Sequence, residues 1–504
     1  MSIATFVRIF LFSLIVALPL AAASKPNIVY ILADDLGYGD VGAFNSHSKI
    51  PTPAMDALAK QGMRFTDAHT GSAVCTPTRY GILTGRYAWR SRLKRGVLYG
   101  YDEPLIDADR LTVASLLKQS GYATACVGKW HLGLGWQQRK ALPSVADPYA
   151  ATTRATEDMV DVGQPITAGP HTVGFDYSFI IPASLDMDPY CYIENAKVVE
   201  QPTGHVDNSP RPKMWRAGPI APSFRFENVL GDFTAKAEGF IDRSAAGTKE
   251  GKPFFLYLAL NSPHTPHVPS AKYEGKSALG PYGDFVIETD AAIGRVVESL
   301  KRNGLDDNTI VIVTSDNGSH SEPLHLEEKG HKSNGDWRGQ KSDAWEGGHH
   351  VPFIVRWPGR VKAGSTCEQT LSTTDLMATA AQIVGATLPD NVAEDSMSML
   401  SLLDGTATGS VREATIHHSV EGRFAIRQGD WKLILCRGSG GWSLREPAAT
   451  KQGLPPVQLY NLREDPGETK NVAAEHADVV ERLQALLKKY QDEGRSVARA
   501  TKAS

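Results

Sequence analysis

Four apolar runs in this 504-residue chain share one design. Asn27-Ile28-Val29-Tyr30-Ile31-Leu32-Ala33 ends in Asp34-Asp35, and Ala123 to Gly128 ends in Lys129-Trp130-His131. Phe254 to Leu260 ends in Asn261-Ser262-Pro263-His264, and Thr309 to Val313 ends in Thr314-Ser315-Asp316-Asn317-Gly318. Short apolar runs without polar alternation suit strands buried on both faces. Helical patterns lie between them, over 52–61, 112–120 and 289–303. This β-α alternation predicts an α/β fold: a large, mostly parallel sheet flanked by helices. In such sheets ligands bind beyond the carboxyl ends of the strands. Each run delivers a charged or imidazole group at that end.

The C-terminal part reads differently. Phe424 to Arg427 and Trp431 to Leu435, separated by Gln428-Gly429-Asp430, predict a hairpin. Gln458 to Leu462 predicts a third strand, stopped by the turn signal Asp465-Pro466-Gly467. Ala474 to Tyr490 has helical apolar spacing. The expected division is a catalytic region over 24–410 and a smaller α+β subdomain over 411–504.

The first residues speak about compartment. Arg8, the apolar stretch Ile9 to Leu20 and then Ala21-Ala22-Ala23 read as a secretory signal over 1–23, cut near Ala23. The stretch is short for a membrane span, and no second long apolar run follows. The mature chain is expected to be exported, to the periplasm or the medium, without a stable span. Lys and Arg number 53 against 56 Asp and Glu, so no basic excess points to nucleic acid. Five cysteines, Cys75, Cys126, Cys191, Cys367 and Cys436, are widely spaced without a CxxC pair. That argues against a disulfide scaffold and leaves one cysteine odd.

Asp34, Asp35, Asp316 and Asn317 offer hard oxygen ligands, the kind that select Ca²⁺ or Mg²⁺. Either pair alone fits a turn or a helix cap. Both pairs at parallel-strand ends point to a cation. Cys75 precedes Pro77, which fits the first turn of a helix that Gly85 could end. A buried thiol and a cysteine nucleophile are both open readings. Neither explains a hard-metal site nearby, because thiolate is a poor ligand for Ca²⁺.

Cys75-Thr76-Pro77-Thr78-Arg79, followed by Tyr80 to Thr84-Gly85, resembles the signature of the formylglycine-dependent sulfatases. The likeness is nearest to their arylsulfatase-A-like members, within the alkaline-phosphatase-like superfamily. It continues through Asn27 to Gly37, Gly128 to Gly133, Pro263-His264-Thr265-Pro266 and Ser315 to Gly318. It further includes Arg338 to Lys341 with Trp345 to Gly348, and Leu459 to Leu462 with Asp465-Pro466. A lone C-x-P-x-R is weak; this ordered set spans nearly the whole mature chain.

The resemblance implies that Cys75 is oxidised to formylglycine by a formylglycine-generating or anaerobic sulfatase-maturating enzyme. An oxygen at position 75 then joins Asp34, Asp35, Asp316 and Asn317 around Ca²⁺, and an even four cysteines are left. Arg79 and Lys129 match residues that hold and polarise the hydrated aldehyde. His131 matches the base, while His264 and Lys341 match groups that bind sulfate and assist the leaving oxygen. Ser184 matches a serine of the sulfate pocket. One diol oxygen attacks sulfur, and the second hydroxyl, deprotonated by His131, expels sulfate as the aldehyde re-forms. The implied substrate is a sulfated carbohydrate, with aryl sulfates as surrogates.

Two positions depart from the family pattern: His349-His350 precede Val351-Pro352 where a residue and then Arg are usual, and Leu185 stands where many relatives have His. Three other features read mostly as structure. The basic run Arg86, Arg90, Arg92, Lys94, Arg95 is expected to be a solvated face, with a polyanion subsite as the sharper reading. The segment 318–336, with His320, His325 and His331, reads as a substrate-rim loop rather than a zinc site. His417-His418 reads as structural, with a pocket wall as the alternative. The rival functions are a phosphonate monoester or phosphodiester hydrolase on the same scaffold, and a non-catalytic sulfoglycan-binding protein.

Overall fold

A computed structural model describes residues 25–143, 154–211, 213–320 and 324–498. The expected export signal over 1–23 lies outside these residues. The main sheet has ten strands: β1 (Asn27–Asp34), β2 (Met63–Phe65), β3 (Ala123–Lys129), β4 (Tyr177–Ile181) and β5 (Ile193–Glu194), then β6 (Lys197–Val198), β7 (Phe254–Pro263), β8 (Thr309–Ser315), β9 (Phe353–Arg356) and β10 (Ser365–Cys367). Their spatial order is β10-β2-β9-β8-β1-β7-β3-β4-β5-β6.

The four apolar runs are β8, β1, β7 and β3. They lie side by side and all run parallel, with β4 joining them as a fifth. Antiparallel pairings lie outside this block, β9 with β8 and β2 on one side, β5 with β4 and β6 on the other. The sheet is therefore mixed, with a five-stranded parallel block at the centre, where both faces can be covered, and one more parallel pair, β10 with β2, at an edge.

Alternation along β1 divides the core in two. Ile28, Tyr30 and Leu32 face one apolar cluster, and Val29, Ile31 and Ala33 face the other. On the first side pack α2 (Cys75–Thr84), α3 (Val113–Gln119) and α6 (Leu376–Val384). On the second pack α1 (Pro53–Gln61), α4 (Val229–Lys249) and α5 (Pro281–Arg302). Each Leu, Ile or Phe so buried contributes about 1.5–3 kcal/mol, which favours this two-sided layering over an open sheet. Helix α5 starts at Pro281 rather than Thr289. Proline is tolerated in a first turn, where its missing N–H is no loss, and the apolar stripe already begins at Phe285 and Val286.

A second sheet is antiparallel: β11 (Thr415–His418), β12 (Phe424–Gln428), β13 (Trp431–Ile434) and β14 (Gln458–Asn461). One face, with Ile416, Ile426, Leu433 and Leu459, buries Val479, Leu483 and Leu487 of α7 (Ala477–Asp492). The other face, with Ala425, Ile434 and Tyr460, packs on Ala344 and Trp345. All five cysteines are free, so the four besides Cys75 form no disulfide. Among the described residues no helix is long and apolar enough to cross a membrane.

Candidate functional site

The parallel block aims its carboxyl ends at one place. Strand β1 ends at Asp34 and is followed by Asp35; β3 ends at Lys129, two residues before His131. Strand β7 leads into His264, and β8 into Asp316 and Asn317. Gly128 sits at φ +119°, where a Cβ would lie 1.8 Å from the Ala259 carbonyl oxygen. Only glycine lets β3 approach β7 this closely, and that approach sets the direction of Lys129. Asp35 (φ +62°), His131 (φ +54°) and Ser342 (φ +85°) are non-glycine residues in the left-handed region. Such strain costs about 1–3 kcal/mol each and persists where packing over-determines the backbone, often at active sites.

All eleven residues singled out in the sequence are buried, and the structure brings them together. Ligand atoms of Asp34, Asp35, Cys75 and His264 lie within 4.8 Å of one another. Lys129 Nζ donates to Asp34 Oδ2 at 2.5 Å and to Ser184 Oγ at 3.2 Å. Lys341 Nζ is 2.7 Å from Asp35 Oδ1 and 2.9 Å from Oδ2. Asn317 Nδ2 donates to Asp35 Oδ1 at 2.7 Å, and the Asp35 N–H donates to Asp316 Oδ1 at 3.3 Å. Arg79 gives Nε and Nη2 to Asp316 Oδ2 at 3.0 and 2.7 Å, and Nη1 to the Lys129 carbonyl at 2.8 Å. Its guanidinium thus acts on the site chiefly through Asp316 and the backbone of Lys129.

Three carboxylates therefore face three fixed cations. Burial alone would raise Asp34, but Lys129, His264, Arg79 and Lys341 hold it well below the usual carboxylate range. Asp35 is likewise lowered against its burial, mainly by Lys341. Burial and the Asp34 charge push Asp316 up to about 6. Two buried oxygens, Asp34 Oδ1 and Asn317 Oδ1, have no partner. An orphaned buried acceptor costs about 1–3 kcal/mol, so two orphans on hard oxygen donors, each beside Asp35, fit a hard divalent cation.

Burial pushes the Cys75 thiol up to about 11, which disfavours thiolate attack at neutral pH. His131 donates Nε2–H to the Leu98 carbonyl at 2.7 Å, so Nδ1 carries the lone pair, and Nδ1 has no partner. Burial, then Lys129 and Arg79, hold this imidazole well below its usual range and keep it neutral. His264 turns Nδ1 to the Thr265 carbonyl and, at 3.4 Å, to Ser184 Oγ. Its Nε2 faces Asp35 Oδ2 at 3.7 Å.

These groups line a cavity of about 480 Å³. Sequence reasoning missed much of its wall: Tyr99, Asp186, Arg211, Arg216 and Trp442. Arg216 is paired with Asp186 across one side. No spacing signals these residues, because separate loops supply them.

The basic run is not a solvated face throughout. Arg90 makes a two-pronged pair with Asp395 at 2.8 and 2.9 Å, and Arg86 Nε lies 3.1 Å from Glu394. In the segment 318–336 only part forms a rim. His320 lines the cavity, but His331 is buried and bonded to Asp40 at 2.8 Å. His417 is buried, bonded to the Thr70 carbonyl at 2.9 Å and stacked on His349. At the two departures, His350 stacks on Trp337 and bonds the Thr66 carbonyl, and Leu185 joins the core.

Comparison with known proteins agrees with this geometry. The sulfatase family model matches residues 26–386, and the model for the N-sulphoglucosamine sulphohydrolase C-terminal region matches 340–493. The N-acetylgalactosamine-6-O-sulfatase of Bacteroides thetaiotaomicron is 35% identical, covering 92% of this chain and 93% of its own. Arylsulfatase A of Homo sapiens is 32% identical, covering 95% of this chain and 90% of its own. A solved sulfatase from Bacteroides thetaiotaomicron, described with that organism's metabolism of multiple glycosaminoglycans, superposes with a TM-score of 0.79 at 34% identity. It covers 93% of this chain and 100% of its own.

Proposed function

Because the chain belongs to the sulfatase family and hydrolyses sulfuric esters, we propose that its substrate is a sulfated carbohydrate and that residue 75 works as formylglycine beside a calcium ion. The observation that carries this reading is the site's charge arrangement. Three cations and the orphaned oxygens of Asp34 and Asn317 surround a residue whose own thiol suits neither role. The sugar-directed relative at 35% identity supports the substrate class.

Asp34, Asp35, Asp316 and Asn317 would hold the calcium, which supplies Lewis-acid charge for the sulfuryl oxygens. Formylglycine supplies a hydrated carbon with one hydroxyl to take the sulfuryl group and a second to release it. With three carboxylates already matched by three cations, a bound dication leaves a positive pocket that draws an anionic ester in. Lys129 and Lys341 bind sulfate oxygens, and Ser184 steadies Lys129 and His264. Arg79 fixes Asp316 and the carbonyl of Lys129. His131, neutral with a free Nδ1, takes the proton from residue 75. His264 gives a proton from Nε2 to the departing alcohol oxygen. Burial and Lys341 hold this imidazole below its usual range despite Asp35 and Asp34, and the negative charge of a bound ester works the other way, toward the imidazolium.

The same reading includes export through residues 1–23, maturation of Cys75 by a formylglycine-generating or anaerobic maturating enzyme, and a boundary near residue 410. Mass spectrometry of the peptide carrying residue 75, from protein made in its native host, should find formylglycine. Only unmodified cysteine would sink the mechanism. In parallel assays a sulfated sugar and an aryl sulfate should turn over faster than an aryl phosphonate or phosphodiester. The reverse order would favour the phosphonate or phosphodiester reading.

A further inference from the structure

The catalytic cavity does not end at the sulfate pocket. It shares Val420, Trp442 and Arg445 with a second cavity of about 820 Å³, so one groove runs outward past them. Arg95, Arg423 and Arg445 line this outer part, together with Glu421 and Glu446. Glu446 is turned elsewhere: its carboxylate accepts the Arg437 N–H at 3.1 and 3.4 Å. Among the described residues no carboxylate lies within ion-pair distance of Arg423 or Arg445. This contrasts with Arg90 and Arg216, which are committed to Asp395 and Asp186. Of the basic run only Arg95 lines the groove. The others that matter come from the turn after β11 and the loop after β13, far away in sequence.

The largest side chain shared by the two cavities is Trp442, half-buried and in tilted contact with His320 at 4.8 Å between ring centres. An indole face at this position offers an apolar platform of the kind a sugar ring covers. Beyond it stand planar guanidiniums, whose fork of donors matches carboxylate and sulfate oxygens.

We propose that this groove is a subsite for a second anion, a carboxylate or sulfate on the sugar next to the one being desulfated. Trp442 packs against the intervening ring, and Arg423 with Arg445 binds the anion. The substrate class is thereby narrowed from sulfated carbohydrates to polyanionic oligosaccharides. This rests on the sulfated-carbohydrate reading above.

The test uses the matured, calcium-loaded enzyme with four substrates: a small aryl sulfate and three sulfated disaccharides. In the disaccharides the neighbouring sugar is neutral, carboxylated or sulfated. Wild-type kcat/KM should be at least about tenfold higher with either anionic neighbour than with the neutral one, in line with one or two charge-assisted hydrogen bonds. The two anionic arms tell carboxylate from sulfate. The advantage should shrink with added salt. Arg423→Ala should remove most of it through KM, Arg423→Lys should restore part, and both should leave aryl sulfate turnover within about twofold, since position 423 lies outside the catalytic cavity. Equal rates on all three disaccharides, or an equal loss on aryl sulfate and disaccharide, would overturn the subsite. A wild-type enzyme that cleaves aryl sulfate but no sulfated sugar would instead overturn the underlying substrate reading.

Discussion

Two buried ionic clusters in this molecule contain similar residues and do opposite things. The first lies at the strand ends and leaves lone pairs open: Asp34 Oδ1, Asn317 Oδ1 and His131 Nδ1. The second lies under the antiparallel sheet, where His69, His349 and His417 bring ring nitrogens within 4.8 Å of one another. Here one imidazole nitrogen, His417 Nε2, is open, and the rest of the chain closes on itself. Lys432 Nζ lies nearer His349 Nε2, at 3.1 Å, than the Ala344 carbonyl does, at 3.3 Å, so Nε2 accepts from the lysine and Nδ1–H donates to His69 Nδ1 at 3.0 Å. His69 Nε2–H then donates to Asp67 at 2.9 Å. The His349 and His417 rings stack 3.9 Å apart and within 5° of parallel, so their in-plane lone pairs cannot meet at one ion. Residue type alone does not separate a metal site from a structural lock. Several open acceptors on hard oxygen donors do, and a donor–acceptor chain that leaves a single stacked imidazole open does not.

The comparison can be broken at either cluster. Asp316→Ala should cost the most, because it removes a proposed calcium ligand and frees Arg79. Bound calcium, counted by elemental analysis, should fall away, and kcat/KM on an aryl sulfate should drop on the order of a thousandfold, the several kcal/mol expected of a metal centre. An active, metal-free variant would show the first cluster to be misassigned. Next in size is Lys432→Met, which leaves Glu346 and Glu468 without their buried cation. Thermal or denaturant unfolding should show a loss of about 3–5 kcal/mol. Unchanged stability would mean that the second cluster is no lock.

The histidines of the second cluster predict a pH dependence. Burial lowers all three, aided at His349 and His417 by Lys432. Asp67, Glu346, Glu468, His350 and Arg427 also face the cluster. A depressed folded-state pKa means that the unfolded chain binds protons first. Stability is therefore fully present above about pH 6.5 and falls below it, by roughly 1.4 kcal/mol per pH unit for each histidine. His417→Gln should flatten the fall in melting temperature between pH 7.5 and 5.5, and an unaltered slope would exclude His417 as a contributor. The smallest effect is expected from Arg90→Ala. Losing its pair with Asp395 should cost about 1–3 kcal/mol of stability with KM for a sulfated oligosaccharide unchanged. A raised KM would return Arg90 to the substrate side.

Much of the first cluster was legible in the sequence, because an apolar strand ending in a charge is a local pattern. Asp34, Lys129, His264 and Asp316 each follow directly from where a buried strand must stop. Cys75 and Arg79 were legible through the signature. The second cluster was not, since His69, His349 and Lys432 meet only when the two sheets dock. The outer groove failed for the same reason: Arg423 and Arg445 stand in ordinary turns, and Arg95 was masked by a run whose other members serve structure. The start of α5 was missed because Pro281 and Gly283 look like loop residues until Phe285 and Val286 are seen to be buried.

Helix α2 has a consequence for how such an enzyme changes its diet. All ten of its residues, from Cys75 to Thr84, are buried, and it holds both the reactive position and Arg79. It presents no surface on which substitutions can be tried without disturbing the core. Trp442, Arg445 and Arg423, by contrast, ride on loops of another sheet. The bond-breaking apparatus and the menu are thus physically separate parts. Laboratory evolution toward a new glycan should find its gains at 420–445 and 211–216, with 75–84 held constant.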